Sequence, residues 1–181
     1  MIHLITPTAD METQAMAFKQ KFYDAGESVI YGSYKLDQDR YSYADWLDIL
    51  ERNRSEETAN PKFGVSDTFF AENESGELVG IINIRYDLTL FYKDSGHIGY
   101  SVVPDQRRKG YAAEMLQSAL VLAKQHGLTE VRLVCRSDNT ASKRTILKCG
   151  GQWFRTIRSD NDTKREFIIL INCNFKLNTE H

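Results

Sequence analysis

Cysteine and proline are scarce in this chain of 181 residues, at three of each. Cys135, Cys149 and Cys173 are odd in number and lack metal-ligand spacing, and two lie in apolar runs. That argues against a disulfide scaffold or a thiolate metal site, and the three read as reduced core thiols rather than nucleophiles. Long apolar runs are missing too, so no membrane span is expected. Met1 to Ile5 lacks the basic start and apolar core of a signal peptide. Charge of one sign is also lacking: the formal net charge is −2, and the basic residues cluster in only one loop, which excludes a general field for nucleic acid. Repeats and low-complexity segments are absent. A composition of 41% hydrophobic and 27% charged residues suits one domain over 1–181, expected to be cytoplasmic.

The informative stretch runs from Gly96 to Ala123. Ile98, Tyr100 and Val102 alternate as in a strand, and Pro104 ends it. From Tyr111 the period changes. Ala112, Met115, Leu116, Ala119, Leu122 and Ala123 recur at helical intervals, predicting an amphipathic helix that stops at Gly127. The polar loop between them carries Arg107, Arg108 and Lys109, with Gly110 at the helix entrance. A helix start already bears about +0.5 of an elementary charge, so three cations there oppose the dipole. An anion seated on the free N–H groups reverses that balance, and glycine lets backbone approach it. The loop therefore calls for a phosphate. It is neither a Walker A loop nor a dinucleotide Gly-x-Gly-x-x-Gly.

The rest of the chain reads in order. Ile2 to Ile5 is a first strand, and Pro7-Thr8-Ala9-Asp10 opens a helix to about Asp24. A second helix spans Ser42 to Arg54 with Trp46, Leu47, Ile49 and Leu50 on its apolar face. The aromatic residues between 27 and 64, among them Tyr31, Tyr34, Tyr41 and Tyr43, either cover the sheet or line a cleft. Ser66 to Glu72 and Leu78 to Tyr86 form a hairpin around Asn73-Glu74-Ser75-Gly76. Glu130 to Arg136, almost continuously apolar at Val131, Leu133, Val134 and Cys135, predicts a strand buried on both faces, and the strand-helix-strand order demands a parallel pair with the strand before Pro104. Asp138-Asn139-Thr140-Ala141-Ser142 opens a short helix to about Lys148, with Asn139 able to cap it. A strand through Trp153 to about Ser159, a turn at Asp160-Asn161-Asp162 and a strand Lys164 to Ile171 close the chain; a frayed tail is expected after Asn174.

Arg107-Arg108-Lys109-Gly110-Tyr111-Ala112 resembles the Arg/Gln-x-x-Gly-x-Gly/Ala signature of the GCN5-related N-acetyltransferases, and Asn139-Thr140-Ala141-Ser142 resembles the start of that family's second core helix. The resemblance covers about residues 78 to 171, with 8–64 as the acceptor side. It implies a mixed α/β fold: a mostly antiparallel central sheet flanked by helices, with one splayed parallel pair. It further implies that the loop holds the acetyl-CoA pyrophosphate. The pantetheine arm would enter the splay against backbone groups of Val102 and Val103, with Asn139 and Ser142 nearby. No metal is implied.

The activity implied is direct attack of a primary amine on the acetyl thioester. A backbone N–H at Val102 would polarise the carbonyl. His97 stands where relatives often carry a Glu base, so it is the candidate base here. Ile146 replaces the Tyr that many relatives use to protonate the leaving thiolate, leaving water or another residue such as Tyr100 or Tyr111 as the candidate proton source. The acceptor and the general acid stay open, and a homodimer is compatible. Two rivals are a non-catalytic acetyl-CoA sensor domain and a binder of an unrelated phosphorylated ligand.

Overall fold

The computed structural model describes residues 1–159 and 162–171. The expected turn at Asp160-Asn161, Cys173 and the tail after Asn174 lie outside the described residues. Four strands form one antiparallel sheet in the order β1 (Ile2–Ile5), β2 (Ser66–Asn73), β3 (Leu78–Arg85), β4 (Ile98–Val102). A second sheet has the order β5 (Glu130–Arg136), β7 (Asp162–Leu170), β6 (Gln152–Ser159), again antiparallel. The helices are α1 (Glu12–Asp24), α2 (Tyr43–Asn53), α3 (Tyr111–Gln125) and α4 (Thr140–Lys148), with single 3-10 turns at Ala9–Met11 and Pro104–Gln106. No helix among the described residues is long and apolar enough to cross a membrane.

The strand β3 is buried on both faces, and so it divides two cores. On one side Val79, Ile82 and Ile84 pack with Met115, Leu116, Ala119 and Leu120 of α3. On the other, Leu78 and Ile81 pack with Phe18 and Phe22 of α1 and Trp46 and Leu50 of α2. Helix α2 begins as its sequence suggests. Ser42 Oγ accepts from the Asp45 N–H at 3.1 Å while the Asp45 carboxylate accepts from the Ser42 N–H at 3.0 Å, a reciprocal cap. The Trp46 indole donates to the carbonyls of Ser33 (2.9 Å) and Tyr34 (3.0 Å), which ties the preceding loop down over the sheet. Tyr34, Tyr43 and Trp46 thus cover the sheet, whereas Tyr31 is exposed.

The expected parallel pair is a correction. The strands β4 and β5 share no ladder and belong to separate sheets, meeting at one isolated bridge of antiparallel type between Gly96 and Leu133. There the His97 N–H donates to Arg132 O at 2.8 Å, and the Arg132 N–H donates back to His97 Nδ1 at 2.9 Å. The side chain of His97 replaces the carbonyl that a ladder would have used, so pairing stops and the sheets part. Nor is β5 buried on both faces: Val131, Leu133 and Cys135 are buried while Arg132 and Val134 are only partly covered.

Close approach at this junction needs Gly96. Its φ is +75°, and an added Cβ would stand 2.6 Å from Arg132 O. Gly96→Ala should therefore cost at least about 1–3 kcal/mol of backbone strain and separate the sheets where they touch. The expected result is a fall of several °C in the thermal midpoint; an unchanged midpoint would contradict this account of the junction.

Candidate active site

The loop before α3 is shaped by two left-handed residues. Arg108 has φ +66° and Gly110 φ +92°, and Gly110 occupies the N-cap of α3. Among the described residues, no backbone carbonyl accepts from the amides of Arg108 to Ala112, whereas those of Ala113 and Glu114 both reach Gly110 O (2.9 and 3.2 Å). Successive unpaired N–H groups around left-handed residues are an arrangement able to cradle an anion, here at the positive end of a helix of 15 residues. Arg108 is exposed and forms no ion pair among the described residues, where Lys109 Nζ reaches only the Gln106 amide oxygen at 2.6 Å. Tyr111 and Ala112 are half-buried against the α3 core.

Arg107 points elsewhere. Its guanidinium makes two bonds of 2.7 Å to the Glu27 carboxylate, and its Nε donates to Val102 O at 3.1 Å. The paired Arg107 holds the Glu27 carboxyl below its ordinary value. Nε and one N–H of each terminal nitrogen are thus engaged, two of its five N–H donors carry no assigned partner, and in this arrangement the side chain buttresses the loop.

The split lies beside this cradle. In the β3–β4 register the residues hydrogen-bonded across the pair include Val79 with Val103 and Arg85 with His97, since the Val103 N–H donates to Val79 O (3.0 Å) and the Arg85 N–H to His97 O (2.7 Å). The alternate residues Ile98, Tyr100 and Val102 therefore direct their backbone groups away from β3, into the split. Val102 keeps an N–H there. Val103 does not, and its expected contribution is corrected because its N–H is already bonded and its side chain is fully buried.

Tyr100 and Ser142 bridge the split, hydroxyl to hydroxyl, at 3.0 Å. Burial pushes the Tyr100 phenol up to about 12, so it is protonated at neutral pH. Asn139 Oδ1 accepts from the Ser142 N–H at 3.0 Å, the cap that its position suggests, and this holds Ser142 at the start of α4. Ile146 is buried in the α3 core, and Gly151 packs against it where a Cβ would lie 2.4 Å from Ile146 Cγ2.

His97 is not placed to act as a base. Its Nδ1 lone pair receives the Arg132 N–H, so in the neutral ring Nε2 carries the proton and no lone pair remains. Burial, reinforced by the Arg132 charge, lowers its pKa to about 4. The histidine is a joint between sheets, which corrects its expected catalytic role.

This arrangement of anion cradle, split sheet and N-capped fourth helix coincides with the sequence comparison. Residues 4–152 match the family described as acetyltransferase (GNAT) domain. The chain belongs to the GNAT acetyltransferase family. Among solved structures, a GNAT-family acetyltransferase from Streptococcus pneumoniae superimposes with a TM-score of 0.67 at 16% identity, covering 95% of this chain and 100% of that one. The microcin C7 self-immunity acetyltransferase MccE, solved with acetyl-CoA and AMP, gives 0.66 at 16% identity over 94% and 92%. A spermidine N-acetyltransferase chimera of the Vibrio cholerae enzyme gives 0.63 at 12% over 93% and 94%. At such identities the likeness shows the fold alone. No curated protein matches the sequence.

Sequence reasoning missed Glu27 and Arg85. Glu27 sits 80 residues before the arginine it binds, and no local pattern signals that pairing. Arg85 ends β3 with its Nη1 donating to Gly96 O at 2.9 Å; a cation at the end of an otherwise apolar strand was the available signal.

The His97 geometry has a pH consequence. Unfolded, the imidazole takes its proton near ~6.5, and folded only at about 4. Its contribution to stability is complete above the unfolded value and falls as pH drops through this window, because the unfolded chain binds the proton first. His97→Asn should remove that component from urea unfolding measured between pH 4 and 7, while leaving the acidic limb of any turnover profile in place. A shifted acidic limb with unaltered pH-dependence of stability would restore the catalytic reading.

Proposed function

We propose that this GNAT protein transfers an acetyl group from acetyl-CoA to a primary amine within a ternary complex, the amine attacking directly. The observation that carries the reading is the run of unpaired amides from Arg108 to Ala112 at the head of α3, opening beside the split between β4 and β5. Acetyl-CoA supplies an acyl thioester activated for attack by an amine. The amides of Gly110, Tyr111 and Ala112 would bind its pyrophosphate, with Arg108 and Lys109 adding charge from the rim. Asn139 and Ser142 would border the pantetheine arm from the α4 side.

The Val102 N–H would bond along the arm or donate to the thioester carbonyl, where one preorganised donor lowers the barrier as charge develops on oxygen. Tyr100, protonated at neutral pH and oriented by Ser142, would donate to the departing sulfur. Tyr111, at the first position of α3, is the second candidate for that role. With His97 engaged, the acceptor ammonium, of ordinary pKa near ~10, would give its proton to water, so the reaction depends on positioning above all. The sensor reading shares the cradle but gives no part to the Tyr100–Ser142 pair.

Thiol release from acetyl-CoA with a panel of polyamines, amino acids, aminoglycosides and short peptides, with products checked by mass, tests the proposal. Amine-dependent release is expected, and binding without release for any amine would favour the sensor. Tyr100→Phe should lower kcat by about 10²-fold with little change in acetyl-CoA affinity; an unchanged kcat removes Tyr100 from proton transfer. Arg108→Ala, which keeps a side chain at the same left-handed φ, and Gly110→Val, which imposes a β-branched one, should each weaken acetyl-CoA binding in calorimetry about tenfold or more. Wild-type affinity in both would overturn the cradle assignment.

A further inference from the structure

On the α1/α2 side of the junction, three cations lie along one aromatic wall. The Arg85 guanidinium sits 4.1 Å over the Tyr92 ring, Lys35 Nζ lies 5.4 Å from Tyr34 and 5.2 Å from Phe63, and Lys62 Nζ lies 5.7 Å from Phe63. Phe63 and Tyr92 are themselves in ring contact, with centroids 6.1 Å apart. None of the three cations forms an ion pair with a carboxylate among the described residues. The nearby acids are spent: Asp39 pairs with Lys19 and Asp94 with Arg155, while Asp37 accepts from the Ile30 N–H and the Ser33 hydroxyl. Asp87 is exposed beside Gly64 and pairs with none of them.

Arg85 is the most demanding of the three. Burial pulls its pKa below the ordinary value, and its Nε is buried without a partner. An unpaired cation taken out of water is costly unless something neutralises it. The chain also holds Tyr34 (φ +46°) and Lys35 (φ +78°) in consecutive left-handed conformations, which non-glycine residues adopt only when the surroundings impose them. Bare ring faces would suit an ammonium. Here the faces already carry cations, so one more cation would meet like charge where an anion would meet opposite charge. The wall therefore selects an anion.

We propose that Arg85, Lys35 and Lys62 on the wall of Tyr34, Phe63 and Tyr92 bind the carboxylate of an acceptor whose amine lies several carbons away. This rests on the acetyl-transfer reading for the amine end. A Cβ built on Gly99 would lie 3.8 Å from Arg85 Nη2 and 3.2 Å from Gly32 N, so the guanidinium borders β4 where two glycines meet. From Gly99 to the Val102 N–H is three residues of strand, about 10 Å. That separation suits an ω-amino carboxylate and disfavours an α-amine, whose two groups are adjacent.

The test compares 6-aminohexanoate with n-hexylamine, which has the same chain without the carboxylate. Calorimetry in the absence of acetyl-CoA should show 6-aminohexanoate bound at least tenfold more tightly. Lys35→Met with Lys62→Met, which keeps the long side chains, should erase most of that preference without lowering the thermal midpoint, and Arg85→Lys should reduce it while preserving charge. Equal or tighter binding of hexylamine, or a preference untouched in the double variant, overturns the proposal. Thiol release with hexylamine and no carboxylate preference defeats this inference alone. Tight 6-aminohexanoate binding with no thiol release from any amine leaves the carboxylate site standing and defeats the acetyl-transfer reading instead.

Discussion

The reciprocal pair of hydrogen bonds between His97 and Arg132 is the constraint on which the rest depends. A backbone ladder would have joined β4 to β5 along their length. An imidazole nitrogen in place of a carbonyl holds the two sheets together at one end and supplies no next rung. Everything beyond that point can diverge, which is why the even-numbered backbone groups of β4 face an open slot. The same hydrogen bond that creates the slot removes the histidine from chemistry within it.

The slot is useful because its other end meets the head of α3. Arg107 links the two: its Nε takes the Val102 carbonyl and its two terminal nitrogens take Glu27. One side chain thereby fixes the end of β4, the loop that follows and the segment after α1. The cationic excess at the helix start is smaller than a count of residues suggests, since Arg107 is neutralised internally. Arg108 and Lys109 have no carboxylate partner among the described residues and stand beside amides that lack a backbone partner.

On the opposite side of the junction the electrostatics have a different character. Around Arg85, charges are stacked on rings in place of carboxylates. A guanidinium on an aromatic face keeps some stabilisation while its charge stays uncompensated. The two sides of one split sheet thus differ chemically: hydrogen-bond donors and exposed cations at the α3 end, and an aromatic wall carrying cations at the β3 end.

Local patterns determined the elements and the run of unpaired amides at the head of α3. Alternation at Ile98, Tyr100 and Val102, helical spacing from Ala112 to Ala123, the Ser42–Asp45 cap and the glycine at 110 all act within a few residues, so hydropathy period and backbone sterics are enough to read them. Tertiary structure alone decided how the functional groups are spent. Arg107 looked available until Glu27 stood beside it, and Val103 until Val79 took its N–H. His97 looked like a base until Arg132 occupied its lone pair, and β5 looked doubly buried until Arg132 and Val134 stood only half covered. Each outcome depends on a partner far away in sequence. A donor or a charge is satisfied by whatever lies within a few ångströms in space, and the order of residues along the chain does not encode that distance.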